Sequence, residues 1–379
     1  MRLLINCLSS ISGGAETYLR NLLPKLVGEA RLLDKSVELI LLCHTAQRDL
    51  FPSELKVRRL ELSGRRSVGL SRVLREAIAL RRVIRAEHLE VVFTPYQAAP
   101  MPQGPRHVLM LRNMEPFRFR GYSYGFRGAV RNALLEKLSA RCLRRADRVI
   151  AVSDYAYACA ERELRVSRQR LRMIYHGRDP AFDALPRTHG QTSKETSPLP
   201  FPYILSVGSL LPYRRAEDII GAFSAHVSPH VPNLHLVFVG DSNEGAYKAC
   251  LRQKVRESAD PDKIRFLGNV PAQSLLALYR NASCYIASTE IEACPNTVIE
   301  ALASSCPIVA SKAHPLPEIL SDSAMFYEPR NVSELGSAIG KVVTDSKLAA
   351  SLSHSSWERA RHFSWEACAK STAKALLDW

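Results

Sequence analysis

The sequence predicts an α/β protein made of two open, parallel sheets, and three observations carry that prediction. Short apolar runs alternate with amphipathic stretches along nearly the whole chain, the pattern of βαβ units. The rhythm breaks once, at residues 183–202, where DALPRTHGQTSKETSPLPFP is rich in Pro, Ser and Thr and reads as an interdomain linker. The length of 379 residues is long for one core and comfortable for two.

The elements follow in order. LLINCL (3–8) reads as a strand, and from Ala15 the apolar residues Tyr18, Leu19, Leu22, Leu23, Leu26 and Val27 recur at helical spacing. VELILLC (37–43) is a strand, and residues 71–88 form a helix with an apolar stripe and a basic face. LEVVFTP, HVLML and DRVIAVS supply further strands before the linker. After it, YILSVGSL, LHLVFVG, KIRFLG, SCYIAS and CPIVAS read as strands with helical stretches between them. The final WEACAKSTAKALLDW is helical and adds no strand. No repeat of 20–50 residues is apparent. Ligands of open α/β sheets bind outside the carboxyl ends of the strands, so the loops after the strands are where chemistry is expected.

Composition narrows the class. Apolar residues make up 46% and charged residues 23%, a globular balance. No run approaches the ~18 apolar residues of a membrane span. MRLLINCLSS lacks a cleavage pattern and reads as a first strand, which predicts a cytoplasmic protein. Nine cysteines, scattered and without C-x-x-C, fit buried free thiols better than disulfides or zinc. Residues 1–182 hold 33 Lys and Arg against 17 Asp and Glu, while residues 183–379 hold 19 against 20. The basic surface therefore belongs to the first half. An anionic membrane surface fits it better than nucleic acid, because no nucleic-acid motif accompanies it. A generally basic, soluble surface is the plainer alternative.

Three loops carry candidate chemistry. Ser12-Gly13-Gly14-Ala15-Glu16 lies between a strand and a helix, where two glycines allow close backbone approach and a helix N-terminus favours an anion. It is neither G-x-G-x-x-G nor a P-loop, and alone it reads better as an ordinary strand-to-helix turn. Gly208-Ser209-Leu210-Leu211-Pro212-Tyr213-Arg214-Arg215 places a guanidinium where it can clamp a diphosphate; a solvated arginine pair is the alternative. Thr289 to Glu300 leads from SCYIAS into the helix TVIEALAS, with the N–H groups of Asn296, Thr297 and Val298 available to a phosphate. Glu292 and Glu300 can accept hydrogen bonds from sugar and ribose hydroxyls. For Glu300 the competing reading is a capping box, Thr297-x-x-Glu300.

Together these loops resemble a family 4 glycosyltransferase of the GT-B fold, and the similarity runs nearly end to end. Gly13 to Glu16 is similar to that family's loop near the donor phosphates. Val152-Ser153 and His176-Gly177-Arg178-Asp179 resemble the stretch that closes the first domain. Val207 to Arg214 resembles the strand and basic pair that hold the diphosphate, and Phe266-Leu267-Gly268 the strand end beside the nucleobase. Glu292 to Glu300 matches the E-x7-E signature; Cys294 and Pro295 lie within it. Ala301-Leu302-Ala303, Pro307 to Ser311, Pro317-Glu318-Ile319 and Phe363-Ser364-Trp365-Glu366 follow in the family's order.

The resemblance implies two Rossmann-like domains facing a cleft, with the last helix crossing back onto the first. It divides the chain into an acceptor-binding domain (1–182, plus a helix over about 363–379), the linker (183–202) and a nucleotide-sugar-binding domain (203–362). It implies transfer with retention of configuration, without a protein nucleophile, cofactor or metal. Arg214 and the helix at Thr297 then stabilise the departing diphosphate and Glu292 holds the donor sugar. Arg214, Arg215, Gly208, Ser209 and Gly268 belong to the expected donor site. Asp260-Pro261-Asp262 has the spacing of a metal-binding D-x-D but reads as a surface turn.

Four positions depart from the family pattern. Ser209 stands where Arg is frequent, Arg214 where Lys is usual, and Ser305 where Gly is frequent. Arg112 stands where many members place a His near the transferring sugar; it cannot act as a base but can serve as an electrostatic clamp. His107 is expected to be structural or on the surface. Finally, Arg118 to Arg127 interleaves aromatics with arginines ahead of a basic amphipathic helix, RNALLEKLSARCLRRADR. That helix either packs its apolar face into the core or lies on an anionic bilayer. The expected partners are a nucleotide-diphosphate sugar and a glycan or lipid-linked acceptor of polysaccharide or lipopolysaccharide synthesis, with no nucleic acid. Another GT-B reaction (epimerase or phosphorylase) and a non-catalytic sugar-nucleotide-binding protein stay open.

Overall fold

The computed structural model describes the chain except for residues 9–12, 52–54, 56, 64–68, 123, 185, 187–196 and 243–244. It divides into two compact units. The first comprises Met1–Arg118, Gly125–Gly177 and Ser364–Trp379; the second comprises Phe119–Tyr124 and Arg178–Phe363.

Among the described residues of the first unit, seven strands form one sheet: β1 (Arg2–Asn6), β2 (Glu38–His44), β3 (Arg58–Leu62), β4 (Val91–Thr94), β5 (Arg106–Leu111), β6 (Arg148–Ala151) and β7 (Leu171–Met173). Their spatial order is β3-β2-β1-β4-β5-β6-β7, and every neighbouring pair is parallel. β1, β2, β4 and β5 are buried almost throughout, so they read as near-continuous apolar runs, as strands covered on both faces must.

The second unit repeats the plan with β8 (Tyr203–Val207), β9 (His235–Val239), β10 (Ile264–Phe266), β11 (Cys284–Ala287), β12 (Ile308–Ser311) and β13 (Ala324–Tyr327). The order is β10-β9-β8-β11-β12-β13, again all parallel. Strand order reverses at β8 and β11, which are neighbours although a long stretch of chain separates them. This is the topological switch point at which doubly wound sheets open a crevice.

Three strands were not read from the sequence: β3, β7 and β13. All three are sheet edges. Edge strands are short and tolerate charge, so RRLEL and LRM lack the apolar run that marks a buried strand.

The chain passes between the units at Arg118–Phe119 and Tyr124–Gly125, within the expected first domain, at Gly177–Arg178, earlier than residue 182, and at Phe363–Ser364. Of the expected linker, Asp183 and Ala184 belong to the second unit: Arg280 Nη2 donates to Asp183 O at 2.9 Å and Ala184 N to Ala303 O at 2.9 Å. Residues 185 and 187–196 of that linker lie outside the described residues.

The last helix, Trp365–Leu377, packs in the first unit against the helix Gly14–Leu33. Trp365 is buried there, edge-on to Tyr18 at 5.7 Å and stacked with His176 at 5.9 Å. Gly177 makes this approach possible, because a Cβ at that position would sit 2.1 Å from Trp365 N. Eight of the nine cysteines are buried and all are free thiols; Cys250 is exposed.

Candidate active site

The pocket in the second unit lies at the carboxyl ends of β8 and β11. Gly208, Ser209, Arg214, Glu292, Pro295, Thr297 and Val298 all line it. Sequence reading named each of them, from two segments some eighty residues apart.

Arg214 and Glu292 are the charged pair of this pocket. Arg214 Nη2 lies 2.8 Å from Glu292 Oε1, with side chains 23% and 12% exposed. Burial disfavours the charge on Arg214, but Glu292, Tyr213 and Tyr285 together outweigh it and hold the guanidinium above its usual range. Burial raises the Glu292 carboxyl, and Arg214 and Thr289 Oγ1 partly offset that. The loops that carry the pair are tied to each other. Ser288 Oγ donates to Arg214 O at 2.5 Å, and Ser311 Oγ, at the end of β12, donates to Thr289 O at 2.7 Å. Among the described residues, Arg214 Nε has no hydrogen-bond partner.

Glycine lets the arginine in. Gly208 follows β8 at φ +137°, and a Cβ there would meet Arg214 Nη1 at 2.4 Å. Gly240 follows β9 at φ +120°, and its Cβ would meet Gly208 O at 2.2 Å. Gly240 N in turn donates to Gly268 O at 2.7 Å. Three strands thus end on glycines packed backbone to backbone. Gly268 lines a separate cavity of about 250 Å³ together with Gly240, Leu210, Phe266 and Lys248.

The helix Asn296–Ala303 starts after Pro295, and no side chain caps it. Val298 N donates to Pro295 O at 3.1 Å, so that N–H is already engaged; Thr297 is the pocket residue beside it. The capping-box reading of Glu300 is overturned. Glu300 sits in the second turn, and its carboxylate accepts from Tyr279 Oη at 3.3 Å. Tyr279 Oη also reaches Thr297 O at 3.0 Å, and Tyr285 Oη donates to Thr297 Oγ1 at 3.2 Å. Two buried tyrosines therefore hold Glu300 and Thr297. Neither was found from sequence, because nothing in the local pattern of a helix or a strand marks such a tyrosine. Desolvation pushes the Glu300 carboxyl up to about 8, with Asp179 adding to the rise against Tyr279.

Arg215 does not join Arg214. It adopts φ +52° and turns to carboxylates: Asp218 at 2.8 Å, Glu217 at 2.7 Å and Glu290 at 3.9 Å. Arg330 also pairs with Glu290, at 2.9 Å. Cys294 sits in the loop between Glu292 and the helix, and Asn296 is the helix's first residue. Ser305 takes the left-handed φ of +50° that favours glycine, closing the helix with Cys306 N on Ala301 O at 3.0 Å. Its hydroxyl donates to Ala184 O at 2.6 Å. Asp260 pairs with Lys263 at 3.1 Å.

In the first unit, Gly13 caps the helix Gly14–Leu33 at φ +56°, its carbonyl accepting from Glu16 N at 2.9 Å; Ser12 lies outside the described residues. Arg112 follows β5 with its guanidinium 5.8 Å from the centre of the Tyr18 ring. His107 is structural: buried, with Nε2 2.8 Å from Pro102 O.

Comparison with known proteins places this architecture. The models for Glycosyltransferase Family 4 and for Glycosyl transferases group 1 match residues 12–182 and 191–359. Sucrose-phosphate synthase from Thermosynechococcus elongatus superimposes with a TM-score of 0.76, at 18% identity over 99% of this chain and 98% of that one. HepE of Anabaena, solved with UDP-glucose, gives a TM-score of 0.72 at 16% identity over 98% of each chain. The O-antigen chain mannosyltransferase B of Escherichia coli is 24% identical over 173 residues, 46% of this chain and 45% of that one. The chain covers less than half the length of the first curated relatives it matches.

The fold is GT-B, with two Rossmann-like units. The chain belongs to the family 4, group 1 glycosyltransferases.

Proposed function

We propose that the protein is a retaining glycosyltransferase that moves a sugar from a nucleotide-diphosphate donor to a glycan or lipid-linked acceptor in polysaccharide or lipopolysaccharide synthesis. The observation that carries this reading is the Arg214–Glu292 pair beside an uncapped helix N-terminus at the switch point of the second sheet. A diphosphate is the anion that such a site suits: a guanidinium offers paired donors and the helix offers a positive end. UDP-glucose in the HepE structure and the O-antigen role in the name of the mannosyltransferase support the donor and acceptor classes.

In this reading the donor diphosphate shares Arg214 with Glu292. Glu292 is then free to accept from hydroxyls of the transferring sugar. As the glycosidic bond to the diphosphate breaks, negative charge grows on the leaving phosphate. Arg214 and the dipole of the helix Asn296–Ala303 stabilise that charge, and the phosphate oxygen takes the acceptor proton. Glu300, held by Tyr279, accepts from ribose, and the Gly268 cavity receives the base. Arg112 is the candidate clamp that replaces a histidine. The reaction needs no metal or cofactor, and it takes place in the cytoplasm at the inner face of the membrane.

The test is a thermal-shift screen against UDP, GDP, ADP and their sugar conjugates, followed by a radiolabelled transfer assay. A ligand selective for the folded state raises its apparent stability. A shift with one nucleotide, lost in Arg214→Ala/Glu300→Ala, supports the site. No shift at millimolar concentration counts against it and favours a protein without an active donor site.

A further inference from the structure

The helix Phe126–Arg145 is inside out along its first half. Asn132 and Ser139 are buried, while Phe126, Val130 and Leu134 are 84%, 44% and 57% exposed. Four-residue spacing stacks these three on one face. A helix that only covers its own sheet does the opposite. Around the stripe, the exposed charges of this helix are all positive: Arg127, Arg131 (paired with Glu115 at 3.2 Å), Lys137, Arg141, Arg144 and Arg145. Its one carboxylate, Glu136, is half-buried.

A second helix of the same unit, Gly69–Glu87, repeats the feature. Leu74 and Ile78 are 64% and 50% exposed, one turn apart, among the exposed Arg75, Arg81, Arg82 and Arg85. The connections β3 to β4 and β5 to β6 run in the same direction across the sheet. Right-handed crossovers therefore put both helices on one face. The β1 to β2 connection runs the other way, so the helix Gly14–Leu33, with the C-terminal helix packed on it, occupies the opposite face.

We propose that this face of the first unit docks on an anionic lipid bilayer. Phe126, Val130 and Leu134 enter the boundary between headgroups and acyl chains, and the surrounding arginines meet the lipid phosphates. Charge complementarity selects this occupant. A second copy of the chain would bring arginine against arginine. The inference rests on the membrane-associated part of the proposed function and not on its donor chemistry.

Cosedimentation with phosphatidylglycerol–phosphatidylcholine vesicles tests it on the full chain. The wild type pellets with these vesicles and not with phosphatidylcholine alone. Phe126→Ser/Val130→Ser/Leu134→Ser lowers the bound fraction about tenfold or more at physiological salt, where charge alone is screened. All three side chains point outward, so the variant keeps its melting temperature and any nucleotide-induced shift. In Phe126→Trp, brominated lipid quenches the new indole. Three results overturn the proposal: no binding to anionic vesicles, equal binding by the triple variant, or a wild-type dimer that the triple variant dissociates. Loss of the nucleotide shift with vesicle binding intact would instead sink the donor site alone.

Discussion

Arg214, from the loop after β8, and Glu292, from the loop after β11, meet at 2.8 Å across the switch point of the second sheet. The pair sets a cation beside its neutralising carboxylate in the pocket. In the proposed function, a ligand carrying phosphate competes with Glu292 for the same guanidinium.

Removing one partner should therefore show twice. Arg214→Ala leaves Glu292 buried without its cation, at an expected cost of about 3 kcal/mol, the lower end for breaking a buried pair because the arginine is partly exposed. It should also abolish nucleotide binding. Arg214→Ala/Glu292→Gln recovers much of the stability and none of the binding. Denaturant melts with and without nucleotide separate the two effects; binding retained in the double variant would remove Arg214 from the site.

Glycine substitutions test the backbone packing behind that pair. Gly208→Ala sets a methyl group 2.4 Å from the end of the Arg214 side chain, whereas Gly240→Ala sets one 2.2 Å from the backbone oxygen of Gly208. Both positions have positive φ, so each substitution costs about 1–3 kcal/mol in strain. Gly240→Ala should be the more destabilising, because a carbonyl cannot swing aside. Gly208→Ala should weaken nucleotide binding more than its melting temperature suggests. Parallel melts and nucleotide titrations of the two variants decide.

Glu300 predicts a pH dependence. Its carboxyl binds a proton more tightly in the folded state, where its pKa is raised to about 8 from 4.5. The associated stability is complete below 4.5 and is lost as pH rises to about 8. Unfolding free energy should fall over this interval in the wild type and fall less in Glu300→Gln. Denaturation curves between about pH 5 and 9 check it. Equal slopes in the two proteins would show that Glu300 titrates normally.

Tyr279→Phe removes the hydroxyl that reaches both Thr297 O and Glu300. The expected loss is about 1 kcal/mol of stability, typical of one hydrogen bond. The Glu300 carboxyl, without its donor, should titrate higher still. Repeating the pH series on this variant reads the second effect apart from the first.

In the first unit, Gly177→Ala places a methyl group 2.1 Å from Trp365 N and should loosen the C-terminal helix from Tyr18 and His176. Limited proteolysis should then cleave near residue 365 at a protein concentration and time that leave the wild type intact. An unchanged digestion pattern would mean that the helix is held by other contacts.

Much of this architecture was legible in the chain. Nine interior strands announce themselves as apolar runs because strands buried on both faces admit little else, and the edge strand β10 was legible beside them. The edges β3, β7 and β13 did not, since an edge strand is freed from that demand. The pocket loops were legible because loop chemistry is local: glycines, a guanidinium and two carboxylates at fixed spacing after strands. What the spacing misread was direction. Thr297-x-x-Glu300 has the letters of a capping box, yet the N-cap is Pro295, two residues earlier, and Glu300 faces Tyr279.

Sequence by itself determined the class of fold, the family and the loops that line the pocket, because periodicity and motif order are properties of the chain. Only the tertiary structure decided that Arg214 and Glu292 meet while Arg215 turns away to Asp218 and Glu217. It alone showed that Phe126, Val130 and Leu134 point outward. Helical spacing puts residues on one face but does not say which face the sheet will cover. That choice belongs to packing between distant segments, and no local pattern encodes it.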